Sequence, residues 1–386
     1  MSITVYSIFI SVTWFSVFVL IHTFLRRRTS FLLNWSLTPL FLIAGMSFLR
    51  LVLPLELPYT TVIRSKVLMP SLQKGLRALH IQLNGESLSV VTLIIVFWIT
   101  GSVCFFFRLI WKIRRDYNVL RGYSKVMDSR VSNAMERVVK DTKPHAPYRL
   151  VLSPEVPTAM VTGFFTPTIL LPSTVTALSD QDLQHILMHE WCHYLNHDLW
   201  IKLLVRLLCC IFWWNPIVYL LKLDMDQDLE LKCDIAVTRN MDDAARLEYL
   251  SSLLRAAKQA LRISQNKGEV PHGMVAYFAA ISEGTKVKQR FHLVLGYRQK
   301  QASFFNIVFA VSLSLVFFIS YAFVIQPYSL PPMDELTDVL TITPQNAYIQ
   351  EYRDGTYALF VDGEYFIALT KQDMQYPPNN VLPIKK

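Results

Sequence analysis

Residues 189–200 read HEWCHYLNHDLW, running from His189-Glu190-Trp191-Cys192-His193 into His197-Asp198-Leu199. Residues four apart share one face of a helix. His189 and His193 therefore set two imidazoles side by side, at the separation one zinc ion needs. Glu190 stands one step round the helix, where it can act as general base on the attacking water. Ser179, with Asp182 three residues on, forms a capping-box-like start for this helix. Upstream, Tyr148–Leu152 and Pro167–Pro172 read as two strands, with Gly163 at the turn between them.

Downstream, the apolar run Leu199–Leu221 contains Lys202 and Arg206, which are costly at mid-bilayer. It also contains Trp213-Trp214-Asn215-Pro216. Asn is a favoured N-cap and Pro a favoured first helical residue. One helix therefore ends near Trp214 and another starts at Pro216. At 1.5 Å per residue the first travels ~24 Å out, and Pro216–Glu230 returns ~21 Å. This pattern predicts an antiparallel hairpin over 199–238, dipping towards or into the bilayer rather than crossing it. Such a hairpin returns Glu230 to the level of the His189 helix.

A catalytic zinc site takes three protein ligands and keeps one position open. Glu230-Leu231-Lys232-Cys233-Asp234 offers two carboxylates on one helix face. One can bind the ion while the other accepts the free N–H of a ligand histidine. Asp224, Asp226 and Asp228 are nearby rivals with poorer placement. His197 and Asp198, about one turn past His193, suit either the same hydrogen-bonding role or a helix-end cap. Cys192 and Cys233 could be ligands in principle, but Cys192 is turned away from the shared face of the histidines and reads as packing. His185 reads as structural, because three histidines in a row cannot all face one tetrahedral ion. His22, His80, His145, His272 and His292 are scattered and carry no signal. Ser71-Leu72-Gln73-Lys74 matches an SxxK motif but sits in a short loop with no domain around it.

The chain has 386 residues, 52% of them hydrophobic, only 12 glycines and a net charge of +9. That apolar share exceeds the ordinary share of soluble domains. Spans of ~20 apolar residues run from about Ile3 to Leu25, Phe31 to Leu53, Leu88 to Ile110 and Ser303 to Ile325. Three basic clusters flank them: Arg26-Arg27-Arg28, then Lys112, Arg114 and Arg115, then Lys286, Lys288, Arg290, Arg298 and Lys300. The positive-inside rule places all three in the cytoplasm. The predicted order is three spans over 1–110, a cytoplasmic domain over 111–302, a fourth span over 303–325 and an outer tail over 326–386. The N-terminus and the 54–87 loop then face outward, although Arg50, Arg64, Lys66, Lys74 and Arg77 lie on that side. The first apolar run lacks a charged n-region and a cleavage site, and reads as an anchor. The positive charge follows from the cytoplasmic flanks, and no motif for direct nucleic-acid binding is visible. Five cysteines without a CxxC pair favour reduced thiols. In the tail, Ala347–Arg353, Thr356–Val361 and Glu364–Leu369 alternate like strands, with Asp354-Gly355 and Asp362-Gly363 as turns. They predict a small β-meander.

The ordered combination of HEWCH, His197-Asp198-Leu199, Phe212-Trp213-Trp214-Asn215-Pro216 and Glu230-Leu231-Lys232-Cys233-Asp234 resembles the BlaR/MecR-type membrane metallopeptidases, the β-lactam-sensing antirepressors. The segment Gly163–Pro172 and the four-span layout are similar too, so the resemblance covers about residues 1–330. It implies a mainly α membrane protein with four transmembrane helices and a cytoplasmic α+β gluzincin-like domain. It implies one catalytic zinc ion held by His189, His193 and Glu230, with Glu190 as general base and Asp234 hydrogen-bonded to a ligand histidine. Substrate strand pairing against residues 160–171 is a further implication. The implied partner is a cytoplasmic substrate, a BlaI/MecI-like DNA-binding repressor, and such proteins often cut their own chain. The tail departs from the pattern. About sixty residues follow the fourth span, too few for a penicillin-binding domain, and no SxxK or KTG lies there, so direct β-lactam sensing is not expected. Two rival readings are a membrane quality-control zinc protease and a non-catalytic transducer. The Trp-Asn-Pro hairpin argues against the first and the intact Glu190 against the second. The oligomeric state is not legible.

Overall fold

The computed structural model describes residues 4–35, 37–65, 80–83, 86–122, 128–142, 146–153, 156, 158–266, 288–296, 304–327, 342–352, 356–371, 373–375 and 379–385. Ser71–Lys74, Lys66, Arg77, Lys286, Arg298, Lys300 and the Asp354-Gly355 turn lie outside these residues. The chain divides into two units, Met1–Pro327 and Tyr328–Lys386.

The first unit is mainly helical. Helices α1 (Val5–Arg26), α2 (Thr29–Trp35) and α3 (Thr38–Val52) come first. Strands β1 (Thr61–Ser65), β2 (His80–Leu83) and β3 (Glu86–Ser89) follow, and then the long helix α4 (Val90–Gly122). Two helices are long and apolar enough to cross a membrane, over Tyr6–Arg26 and Val90–Val119. The other two expected spans are shorter. The second is split at Leu37, with Pro39 inside the first turn of α3, where a missing N–H costs nothing. The fourth is only α11 (Phe304–Ile319), because Phe323–Pro327 forms strand β7 and pairs in parallel with β1. Phe-Val-Ile suits a strand as well as a span, and an apolar run alone cannot separate the two.

The part carrying the motif is built from α5 (Ser129–Asp141), β4 (Arg149–Ser153), β5 (Met160–Thr162), β6 (Thr168–Pro172), α6 (Asp180–Leu195), α7 (Asp198–Ile211), α8 (Pro216–Thr238), α9 (Asp243–Asn266) and α10, a helix over 288–296. The sheet corrects the two-strand reading. Its order is β4-β6-β5, with β4 parallel and β5 antiparallel to β6. Gly163 turns β5 into β6 rather than β4 into β6. Its φ of +92° and the Thr166 carbonyl, which a Cβ would meet at 2.3 Å, require glycine there. At three residues, β5 is too short to show alternation in sequence. Val131, Met135, Ile169, Leu171, Leu183, Leu187 and Trp191 form the core between α5, the sheet and α6. The Trp191 Nε1–H donates to Thr142 Oγ1 at 2.8 Å. This packing fixes one face of α6 and leaves the histidine face free.

Helices α7 and α8 pack against each other as a hairpin. The Asn215 side chain caps α8, accepting from Ile217 N at 3.0 Å. Phe15 and Val19 of α1, Val205 and Leu208 of α7, and Val218, Leu221 and Met225 of α8 share one cluster. Below it, the Arg26 Nε–H donates to Asp228 at 2.9 Å, and His22 Nε2 lies 3.0 Å from the other oxygen of Asp228. These side chains are buried, so α8 is tied to α1 by both apolar packing and paired charge.

The second unit is a sheet of β8 (Ala347–Glu351), β9 (Tyr357–Val361), β10 (Glu364–Leu369) and β11 (Ile384–Lys385), in the order β10-β9-β8-β11. Strands β8, β9 and β10 form an antiparallel meander. Asp362 and Gly363, at φ +49° and +87°, make its two-residue turn.

Candidate metal centre

Helix α6 starts as its sequence requires: the Ser179 hydroxyl accepts from Asp182 N at 3.1 Å. Two turns on, His189 and His193 stand ring edge to ring face, 4.8 Å between centroids. Helix α8 returns Glu230 to them. One oxygen of Glu230 lies 3.2 Å from His189 Nε2 and the other 3.4 Å from His193 Nε2. Donor atoms about 2.1 Å from a common tetrahedral centre are about 3.4 Å apart, so these spacings fit zinc. The three donor atoms lie within 4.8 Å of one another.

Both imidazoles are held through their other nitrogen. His193 Nδ1–H donates to Asp198 Oδ2 at 2.8 Å. His189 Nδ1–H donates to the Tyr249 hydroxyl at 2.8 Å, with Asp234 Oδ1 at 3.3 Å, and that hydroxyl donates to Asp234 Oδ1 at 2.8 Å. Both Nε2 atoms are thereby turned to the open side, as metal-ligating histidines require. Asp198 is the first residue of α7, whose N-cap is His197, and its second oxygen faces Lys232 Nζ at 3.3 Å. Arg290 of α10 donates to both oxygens of Asp234, at 2.6 and 2.8 Å, and lies 3.9 Å from Glu230.

The electrostatics favour a cation at this point. Burial alone depresses the His189 imidazolium, yet Asp234 and Glu230 hold it up to about 10. Burial raises the Asp234 carboxyl, but Arg290 and His189 outweigh it and bring it to about 2. Burial opposes the Glu230 carboxylate too, and the two imidazoles hold it well below the usual range. Glu190 moves the other way, raised by burial against the pull of the two histidines. A carboxyl raised towards neutrality can both take and return a proton.

The donors open into a cleft of about 330 Å³, lined by Glu190, Lys202 and Arg290 and by Met160 and Val161 of β5. β5 is an outer strand of its sheet, and Thr158 to Val161 line this cleft. A second set, His193, Asp198 and Cys233, also lies within 4.8 Å. It uses the nitrogen already given to Asp198, and Cys233 is fully buried.

Of the other candidates, His185 is outside the cluster, 2.9 Å from Ser252 Oγ. Asp224 and Asp228 face His22 and Arg26, away from the histidines. Cys192 faces Cys233 and Asn196. No local spacing marks Tyr249 in the sequence, and Arg290 stands there only as one member of the basic cluster before the fourth span. His22 is likewise unmarked, and its partners lie some two hundred residues away.

A family model described as BlaR1 peptidase M56 matches residues 2–287. The chain is 26% identical over 225 residues to the methicillin resistance mecR1 proteins of Staphylococcus aureus and Staphylococcus epidermidis, covering 57% of this chain and 38% of theirs. It is 23% identical over 158 residues to the regulatory protein BlaR1 of Bacillus licheniformis, covering 41% of this chain and 26% of that one. The chain thus spans well under half the length of these curated relatives. With a model match over most of its length and the His-His-Glu cluster inside that match, the chain belongs to the BlaR1 peptidase M56 family.

Proposed function

We propose that this chain is a membrane-embedded, zinc-dependent endopeptidase that cleaves a cytoplasmic protein in a signalling pathway, a DNA-binding repressor of the BlaI/MecI type. The observation that carries the reading is the pair of Nε2 atoms facing the two oxygens of Glu230 at 3.2 and 3.4 Å, beside Glu190 in an open cleft. His189, His193 and Glu230 would hold the ion. Bound there, zinc would supply Lewis acidity to the attacking water and the scissile carbonyl. Glu190 accepts the proton of the attacking water and returns it to the departing amine. Asp198, Tyr249 and Asp234 fix the two imidazoles. An extended peptide laid along the edge of β5 brings its carbonyl over the cleft.

The membrane arrangement is four crossings with residues 111–302 on the cytoplasmic side. Helices α3 and α11, at about 22 and 24 Å, fall about 6–8 Å short of a 30 Å hydrocarbon layer. Local thinning of the bilayer accommodates that mismatch. The test is to compare the full chain with its Glu190→Ala variant for metal content and for cleavage of cellular proteins by mass spectrometry. Zinc is expected in both and cleavage only in the parent. Stoichiometric zinc without Glu190-dependent cleavage overturns the enzyme reading, and reporter fusions placing residues 111–302 outside overturn the substrate's compartment.

A further inference from the structure

The tip of the α7–α8 hairpin is docked on α4. The Trp213 indole lies over Gly101, so close that a Cβ there would meet its ring at 2.5 Å. Phe97 packs edge-on against Trp213 and Phe105 stacks with it. The Trp98 Nε1–H donates to the Ile211 carbonyl at 2.7 Å, and the Trp213 Nε1–H to the Trp98 carbonyl at 3.3 Å. Helix ends leave carbonyls without partners. Here one of those at the end of α7 is satisfied by the side chain of a helix that itself reads as a span.

Two independent lengths give the depth of this tip. Along α4, Gly101 stands eleven residues, about 17 Å, from Lys112, the first residue of the basic cluster at the inner boundary. Along α8, Pro216 stands twelve residues, about 18 Å, from Asp228, which is bonded to Arg26 at the inner end of α1. Half of a 30 Å hydrocarbon layer is about 15 Å. The tip therefore sits at the bilayer midplane and goes no further. The charges fit that depth. Arg206 is five residues, about 8 Å, below Ile211, and Arg108 about 10 Å below Gly101, within reach of the headgroups for a side chain that snorkels.

On this basis, which rests on α4 being a span, we propose that α7–α8 is a re-entrant hairpin whose outer face is solvated by the acyl chains of the inner leaflet. Apart from Arg206, the exposed side chains of the hairpin are apolar: Leu204 is 43% exposed, Ile211 44%, Trp214 50% and Leu223 55%. The backbone of the turn is admissible at this depth because it is packed on α4 and hydrogen-bonded to it. The consequence for the site is direct. Glu230 lies two residues below Asp228, so the metal centre stands at the headgroup level, and the substrate segment that reaches it lies along the membrane surface.

The test is photo-crosslinking of the full chain in phosphatidylcholine–phosphatidylglycerol vesicles, with benzoylphenylalanine placed singly at Trp214, Phe97 or Leu247. Phe97 lies on α4, and Leu247 is an exposed residue of α9. Lipid adducts are expected at 214 in a yield comparable to that at 97, with background yield at 247. Gly101→Leu fills the notch under Trp213 and is expected to cost position 214 its acyl-chain adducts while position 97 keeps them. Adducts at 97 but none at 214 in the parent overturn the re-entrant hairpin. Absence at both positions instead overturns the span on which it rests.

Discussion

Asp198 holds the His193 ring by a single 2.8 Å hydrogen bond and is itself fully buried. In Asp198→Ala, the Nδ1–H of His193 loses its acceptor and the ring loses the group that fixes its tautomer. Lys232 Nζ also loses its carboxylate at 3.3 Å. The other partner near that nitrogen is Cys233 Sγ at 3.1 Å, a weak acceptor that replaces little of the loss. Removing such partners of ligand histidines weakens metal binding about 10–100-fold. That range corresponds to about 1.4–2.7 kcal/mol. The measurement is a zinc titration of the solubilised full chain against a competing chelator, with thermal unfolding of the chelated protein as control. A cap-only role predicts the opposite pattern, with a loss of stability of about 1 kcal/mol on Asp198→Ala and zinc affinity unchanged. Asp198→Asn separates the two further: Asn caps as well as Asp, but as a neutral acceptor it restores zinc affinity only in part. A folded Asp198→Ala protein that holds zinc as tightly as its parent refutes the argument.

Three further outcomes follow from the same geometry. Tyr249→Phe removes the hydroxyl between His189 and Asp234; Asp234 Oδ1, already 3.3 Å from the same nitrogen, takes over, so the loss of zinc binding stays near about 1 kcal/mol, and a loss exceeding that of Asp198→Ala in the same titration counts against the bridging role. Gly163→Ala forces a side chain into φ +92° against the Thr166 carbonyl, at a cost of about 1–3 kcal/mol, read as a lower unfolding midpoint and weaker substrate binding at β5; an unchanged midpoint refutes it. Burial raises the Asp182 carboxyl, but its hydrogen bonds to Arg255 outweigh that and lower it to about 2 from 3.8. Its stabilisation is therefore complete above pH 3.8 and is lost as pH falls towards 2. The shift is worth about 2 kcal/mol before screening, and about 1 with Arg255 nearly half exposed. Asp182→Asn should lower the unfolding midpoint at pH 7 and converge with the parent near pH 2; a constant gap across that range contradicts the linkage.

What could be read from the sequence depended on how far apart the cooperating residues stand. His189 and His193 are four residues apart, so helical periodicity alone places them together. Glu230 is 41 residues from His189, yet it was reachable by arithmetic: an N-cap and a proline mark the bend, and two helices of similar length bring the chain back. Tyr249 and Arg290 were not reachable that way. Tyr249 is set by the packing of α9 against α6 and α8, and Arg290 by its bonds to Asp234 of α8; 60 residues separate Tyr249 from His189. The charges that tie α1 to α8 lie 202 residues apart; His22 looked isolated only because its acids stand on another helix, where they looked like rival zinc ligands. The same limit governs the short elements. Three residues of β5 carry no period, and Phe323–Pro327 is apolar enough to extend a span until its partner strand at Thr61–Ser65 is seen. Composition gave the apolar content of these segments, but backbone pairing decided their form, because an apolar helix and a buried strand draw on the same residues.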